Sequence, residues 1–127
     1  MNYKMSLDFH GVIDRYPKIF SWLTKLLYAF GCEIHIVTGN SINHELLTQL
    51  NEFGISYTHM FSIIDYHEKI GTAVQYDERG PWIDADLWNR TKAEYCESNK
   101  IALHIDDSDV YGQYFTSTIY LRLSNKK

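Results

Sequence analysis

Three apolar runs in this chain end in residues able to do chemistry. Leu7 is followed by Asp8 and, two places on, His10; Val37 by Thr38, Gly39 and Asn40; Ile105 by the pair Asp106 and Asp107. A carboxylate can attack phosphorus once the repulsion between two anions is offset, and a divalent cation together with a lysine does that. A threonine hydroxyl and a glycine amide are suited to holding phosphoryl oxygens, and glycine permits close backbone approach. Of the lysines, Lys92 falls on a helix 14 residues before Asp106, Lys69 lies in a loop, and Lys100 falls at the wrong end of the following strand. Any one acidic residue after a strand has a plainer reading as a helix cap or turn residue, which is how Asp14 and Asp109 are taken. Three such ends in one chain imply an architecture that collects them.

The apolar periodicity supplies that architecture, because its period changes at turn residues in the manner of alternating strands and helices. The first strand is Tyr3 to Asp8. A helix from about Pro17 to Phe30 carries Ile19, Leu23, Leu26, Leu27 and Phe30 at helical spacing, with Pro17 in its first turn and Gly31 as its stop. Glu33 to Val37 reads as the second strand, Ser41 to Phe53 as a helix with Ile42, Leu46, Leu47, Leu50 and Phe53 on one face, and about His59 to Ile64 as the third strand. The segment from Asp65 to Ile83 has no clear period and is expected to be a long loop. Its Tyr76, Arg79 and Trp82 offer either a stacking and phosphate-clamping lip or an aromatic loop packed on the sheet edge. A third helix, Ala85 to Ser98, turns Trp88, Thr91 and Tyr95 inward; the fourth strand is Ile101 to Ile105, and a short helix to about Phe115 leads to a last strand, Thr118 to Leu123. This order predicts an α/β fold: a Rossmann-like three-layer sandwich with a mainly parallel five-stranded sheet, in one domain spanning residues 1–127. In an open parallel sheet the strand carboxyl ends line a common crevice, which is where all three polar ends would meet.

The residues at those ends also resemble a known pattern. Leu7-Asp8-Phe9-His10-Gly11-Val12-Ile13-Asp14 looks like the first motif of the haloacid dehalogenase-like (HAD-like) superfamily, a strand ending in Asp-x-Asp-Gly-Thr/Val. Ile34 to Asn40 is similar to the second motif, Lys92 to the third, and Leu103-His104-Ile105-Asp106-Asp107-Ser108 to the fourth, an apolar strand ending in paired aspartates. The resemblance implies a Mg²⁺-dependent phosphomonoester hydrolase working through an aspartyl-phosphate. Asp8 would be nucleophile and metal ligand, the His10 carbonyl a further ligand, Asp106 and Asp107 the remaining acidic ligands, and Lys92 the neutralising cation. Thr38 and Gly39, with Asn40 beside them, would hold the phosphoryl group, and Arg79 would reach it from the loop. His10 stands where the family pattern has its second aspartate, the general acid and base. That departure sets up the alternative of a catalytically quiet HAD-like module binding metal and a phosphorylated ligand or protein partner.

Only 23 residues separate Asp14 from Thr38, nearly all used by one helix and one strand, so no cap domain is expected. Capless members of the family leave the site open to bulky substrates or close it by oligomerisation. The expected partner is a phosphorylated small molecule or a phosphorylated oligonucleotide end, with a homo-oligomer as a further option. Composition bounds the remaining classes: net charge is −4 with scattered Lys and Arg, which argues against a broad nucleic-acid footprint. No apolar run approaches the roughly 20 residues needed to cross a bilayer, and no signal segment precedes the first strand, so the expectation is a cytoplasmic protein. Cys32 and Cys96 lack paired metal or redox spacing and are expected as reduced thiols in or near the core. His35, His44, His59, His67 and His104 lack ligand spacing and are expected at the surface or hydrogen-bonded in the core.

Overall fold

The computed structural model describes residues 3–124. Strand β1 (Lys4–Leu7) leads through a tight turn at Phe9–Ile13 to helix α1 (Pro17–Ala29), which returns the chain to β2 (Glu33–Thr38). Helix α2 (His44–Glu52) then connects to β3 (His59–Ser62). After α3 (Ile63–Lys69) and a hairpin of β4 (Gln75–Asp77) and β5 (Gly80–Trp82), helix α4 (Ala85–Ser98) crosses to β6 (Leu103–Asp106). A 3₁₀ turn at Tyr111–Tyr114 precedes β7 (Ile119–Arg122). The five long strands form one parallel sheet in the order β3-β2-β1-β6-β7, so the expected α/β class and five-stranded parallel sheet are both present. Among the described residues no helix is long and apolar enough to cross a membrane.

The two faces of this sheet differ in chemistry. Residues alternate sides along a strand, and the register aligns Met5 with Ile34 and Leu103, and Leu7 with Ile36 and Ile105. That face carries the apolar core, closed by Phe9, Val12, Ile13, Phe20, Leu46 and Leu50 from the turn and from α1 and α2. The opposite face aligns Ser6 with His35 and His104, all three buried: Ser6 and His35 meet Cys96 and Tyr95 of α4, and His104 stacks on Phe115. Ser6 Oγ lies 2.6 Å from His104 Nδ1, and His35 Nδ1 lies 2.6 Å from Tyr95 Oη, so the buried histidines are hydrogen-bonded as expected of core histidines.

Two local expectations are corrected. The stretch from Asp65 to Ile83 is not a loop: it holds most of α3 and the whole β4–β5 hairpin. Ser62 caps α3 by accepting from Asp65 N at 3.1 Å, and His67 ties α3 to α4 through Thr91 Oγ1 at 2.8 Å. Seven residues of helix and two three-residue strands are too short to show a period. The second correction is to α1, whose buried centre is Phe20 and Thr24, flanked by half-buried Leu23 and Leu27. Ile19, Leu26 and Phe30, on the apolar face read from the sequence, are 59%, 42% and 75% exposed. On α2, likewise, Leu46 and Leu50 are buried while Leu47 is exposed.

Candidate functional site

Adjacent strands bring the acidic residues together. β1 and β6 are neighbours, and Asp8 N still donates to Ile105 O at 3.0 Å, so Asp8 and Asp106 leave the sheet side by side. Helix α4 lies over this end and lowers Lys92 between them, with Nζ 3.0 Å from Asp8 Oδ1 and 2.9 Å from Asp106 Oδ2. Lys92 is 2% exposed, so it is not a solvated helix lysine. An ammonium this deep is tolerated because two carboxyl groups accept hydrogen bonds from it and Asp106 brings a negative charge.

The surroundings split the two carboxylates. Burial pushes the Asp8 carboxyl up to about 7, with Lys92 opposing the rise and Asp106 adding to it. Burial acts upward on Asp106 too, but hydrogen bonding from His104 and the charge of Lys92 outweigh it and hold this carboxyl well below the usual range. Asp106 is the most fully engaged group in the site. Its Oδ2 accepts from Lys92 and from His104 Nε2 at 2.8 Å, and its Oδ1 accepts from the amides of Asp107 (2.9 Å) and Ser108 (3.2 Å). Burial lowers the His104 pKa, so the ring is neutral with its hydrogen on the nitrogen facing the carboxylate. Its Nδ1 then accepts from Ser6, whose oxygen lies 3.4 Å from Cys96 Sγ, a thiol that burial pushes up to about 11. A neutral relay from Cys96 through Ser6 and His104 therefore orients Asp106.

Asp107 completes the acidic group: one carboxylate oxygen from each of Asp8, Asp106 and Asp107 lies within 4.8 Å of the others. Three carboxylates face one ammonium there, an excess of negative charge suited to a hard divalent cation. Gly11 (φ +86°) makes room for this, since a Cβ at that position would overlap Asp107 Oδ2. An open cleft of about 340 Å³ above the acidic group is lined also by His10, Gly39, Asn40, Trp88 and Tyr111. The space opened by the missing Cβ of Gly39 is filled by the Trp88 indole, whose Nε1 donates to Tyr111 Oη at 2.8 Å. Lys92 Nζ sits 5.1 Å from the centre of the Tyr111 ring.

The remaining sequence candidates fall into three positions. Thr38 is 1% exposed, its hydroxyl finds no hydrogen-bond partner among the described residues, and it lines a neighbouring depression shared with His10 and Asn40. His10 sits at the rim, its side chain more than half exposed, with Nδ1 3.2 Å from Asp14 Oδ2. Asp14 Oδ1 also accepts from Gly11 N at 2.7 Å, so Asp14 is indeed a turn residue and one that holds the His10 ring. Arg79 is elsewhere: at the hairpin tip, 91% exposed and paired with Asp77, it lines neither depression.

Sequence reading missed Ser6, His104, Trp88 and Tyr111 as parts of the site. Trp88 carried a signal, lying one helical turn before Lys92 on the same face of α4. It also missed a second cluster, Glu33, His35 and His59, which parallel register rather than sequence spacing assembles. The two rings stack 4.3 Å apart at 7°, and His35 Nε2 lies 3.0 Å from Glu33 Oε1, so this group is occupied by its own hydrogen bonding. Compared with known proteins, the chain matches no family model, no curated protein and no solved structure.

Proposed function

We propose that this chain is a capless HAD-like phosphomonoester hydrolase that works through an aspartyl-phosphate on Asp8. The observation that carries the reading is the buried Lys92 bridging Asp8 and Asp106 at the ends of adjacent parallel strands, with an open polar cleft above. An anionic nucleophile meeting an anionic phosphoryl group needs fixed positive charge, and Lys92 supplies it at Asp8 itself. The Asp8 carboxylate attacks phosphorus while the bond to the leaving oxygen breaks and that oxygen takes a proton from His10; water, giving a proton back to His10, then cleaves the aspartyl-phosphate, releasing inorganic phosphate and restoring Asp8. The buried Thr38 hydroxyl and the backbone at Gly39 hold phosphoryl oxygens, with Asn40 beside them. Asp8, Asp106, Asp107 and the His10 carbonyl would hold Mg²⁺, which when bound offsets the anionic charge of the phosphoryl group. The all-oxygen donor set, three carboxylates facing one ammonium, fits a hard divalent cation.

His10 is the proton-transfer group in this reading. Because Asp14 can only accept, Nδ1 carries a hydrogen toward it, which leaves Nε2 to give and take the proton at the cleft rim. The second reading, a quiet phosphate-binding module, is favoured by the same residue: an exposed imidazole replaces the carboxylate of the family pattern. A panel of sugar phosphates, nucleotides and 3′- or 5′-phosphorylated oligonucleotides, run with Mg²⁺ and with EDTA, separates the two. Mg²⁺-dependent release of phosphate from any class supports the hydrolase; phosphate binding without release supports the module.

Two expected outcomes test the metal assignment directly. At 100 times its Kd, Mg²⁺ should stabilise the fold by about 2.7 kcal/mol, a rise in Tm on the order of 10 °C. Asp107→Asn should remove most of that rise while leaving the Lys92 bridge intact; an unchanged shift in this variant would exclude Asp107 as a ligand. His104→Phe keeps a ring to stack on Phe115 but deletes the hydrogen bond that orients Asp106. Mg²⁺ affinity, read by calorimetry, should fall about 10- to 100-fold.

A further inference from the structure

The apolar ridge that α1 leaves exposed lies beside an uncovered part of the sheet. At about 100° per residue, Leu23, Leu27, Ile19, Leu26 and Phe30 all lie to one side of the buried Phe20. That is the side facing β6, because Leu23 and Leu27 line a groove with Met5, Leu103, Ile105 and Leu121. The other side of α1 faces α2, where Ser21 donates to Gly54 O. Helices α1 and α2 cover the β1, β2 and β3 part of this face, but among the described residues no helix covers β6 and β7. The result is an apolar groove of about 460 Å³, flanked by the ridge of Ile19, Leu26 and Phe30 on one side and by Ile119 and Leu121, 67% and 49% exposed, on the other. Lys4 marks its rim.

We propose that this face is the interface of a symmetric homodimer, in which the α1 ridge of each copy seats against the β6–β7 groove of the other. A twofold contact requires one patch complementary to itself, and a ridge lying next to a groove is such a patch. The area also fits. At about 200 Å² for a fully exposed large side chain, Ile19, Leu26, Phe30, Ile119, Leu121 and Tyr3 leave on the order of 700 Å² open, near the ~800 Å² per partner of a standard interface. A patch of this size exceeds what a monomer ordinarily exposes to water. The groove volume suits side chains the size of Leu26 and Phe30, and neither they nor Ile19 is charged.

The test is sedimentation equilibrium of the full chain. Wild type at about 50 µM should have twice the 14.9 kDa chain mass. Leu26→Glu/Phe30→Glu changes two exposed positions, so its circular dichroism should be unchanged while the dimer dissociation constant rises at least 100-fold. Ile119→Lys, on the opposite wall, should do the same, and Tyr76→Ser on the distant hairpin should leave the dimer intact. A wild type that stays monomeric at that concentration overturns the proposal and assigns the face to another occupant. A dimer that survives both charged variants, or that Tyr76→Ser dissolves, overturns it equally.

Discussion

Asp8→Asn is expected to abolish turnover and, in EDTA at pH 7.5, to raise the melting temperature. The first effect follows from chemistry: an amide is nearly isosteric with the carboxylate but is not a usable nucleophile, so a loss of at least about 10⁴-fold is expected. The second follows from linkage. Burial raises the Asp8 carboxyl from 3.8 to about 7, so between those values the folded state holds a proton that the unfolded state has lost. Stability from this group is therefore fully present below pH 3.8 and is lost as pH rises through about 7. Asp106, held below the usual range, acts in the opposite sense and only in more acidic solution, so the two windows do not overlap. The metal-free wild type should lose on the order of 3 kcal/mol between pH 4 and pH 8 from this source, a loss that Asp8→Asn avoids. Thermal melts of both proteins in EDTA across that range make the comparison. Parallel curves would show that Asp8 is not carrying uncompensated charge, and wild-type turnover in the variant would eliminate the covalent mechanism.

Lys92→Met is expected to be the most damaging single change to the fold. Methionine roughly matches the lysine stem in length but leaves Asp8 and Asp106 buried without the ammonium that bridges them. Removing one partner of a buried ion pair costs about 3–5 kcal/mol, because the remaining charge keeps its desolvation penalty. In EDTA the variant should melt at least about 10 °C below wild type. Mg²⁺ should return part of the difference by restoring positive charge. Adding Asp8→Asn should return another part, so the double variant should be more stable than Lys92→Met alone. If Lys92→Met melts with wild type in EDTA, the buried bridge contributes nothing and the electrostatic account of the site falls with it.

Much of the site was legible because strand ends are a topological property. Once β1 and β6 are parallel neighbours, Asp8 and Asp106 must emerge together, whatever the details of packing. Lys92 was legible through its resemblance to the third motif, on a helix 14 residues before Asp106; that the side chain is buried between two carboxylates was decided by how α4 seats on the sheet. Arg79 was not, because the two three-residue strands of its hairpin carry no readable period and its own neighbour Asp77 holds it. His10 was legible as a departure from the pattern, but its tie to Asp14 depends on a turn in which Gly11 takes a positive φ.

The sequence by itself determined the alternation of strands and helices, the parallel five-stranded sheet and the gathering of Asp8, Thr38, Asp106 and Asp107 at its carboxyl end. Those depend on periodicity along the chain and on connection rules, both local in sequence. Tertiary structure decided whatever depends on register between distant segments. Only pairing across β1, β2, β3 and β6 sets Ser6 against His104 and stacks His35 on His59. Only the rotation of α1 on the sheet decides that Phe20 is buried while Phe30 meets water. An apolar stripe about 100° wide tells which side of a helix avoids water, but several rotations bury part of it nearly equally well. The choice among them is made by the residues it meets, and here the sheet leaves part of that stripe uncovered.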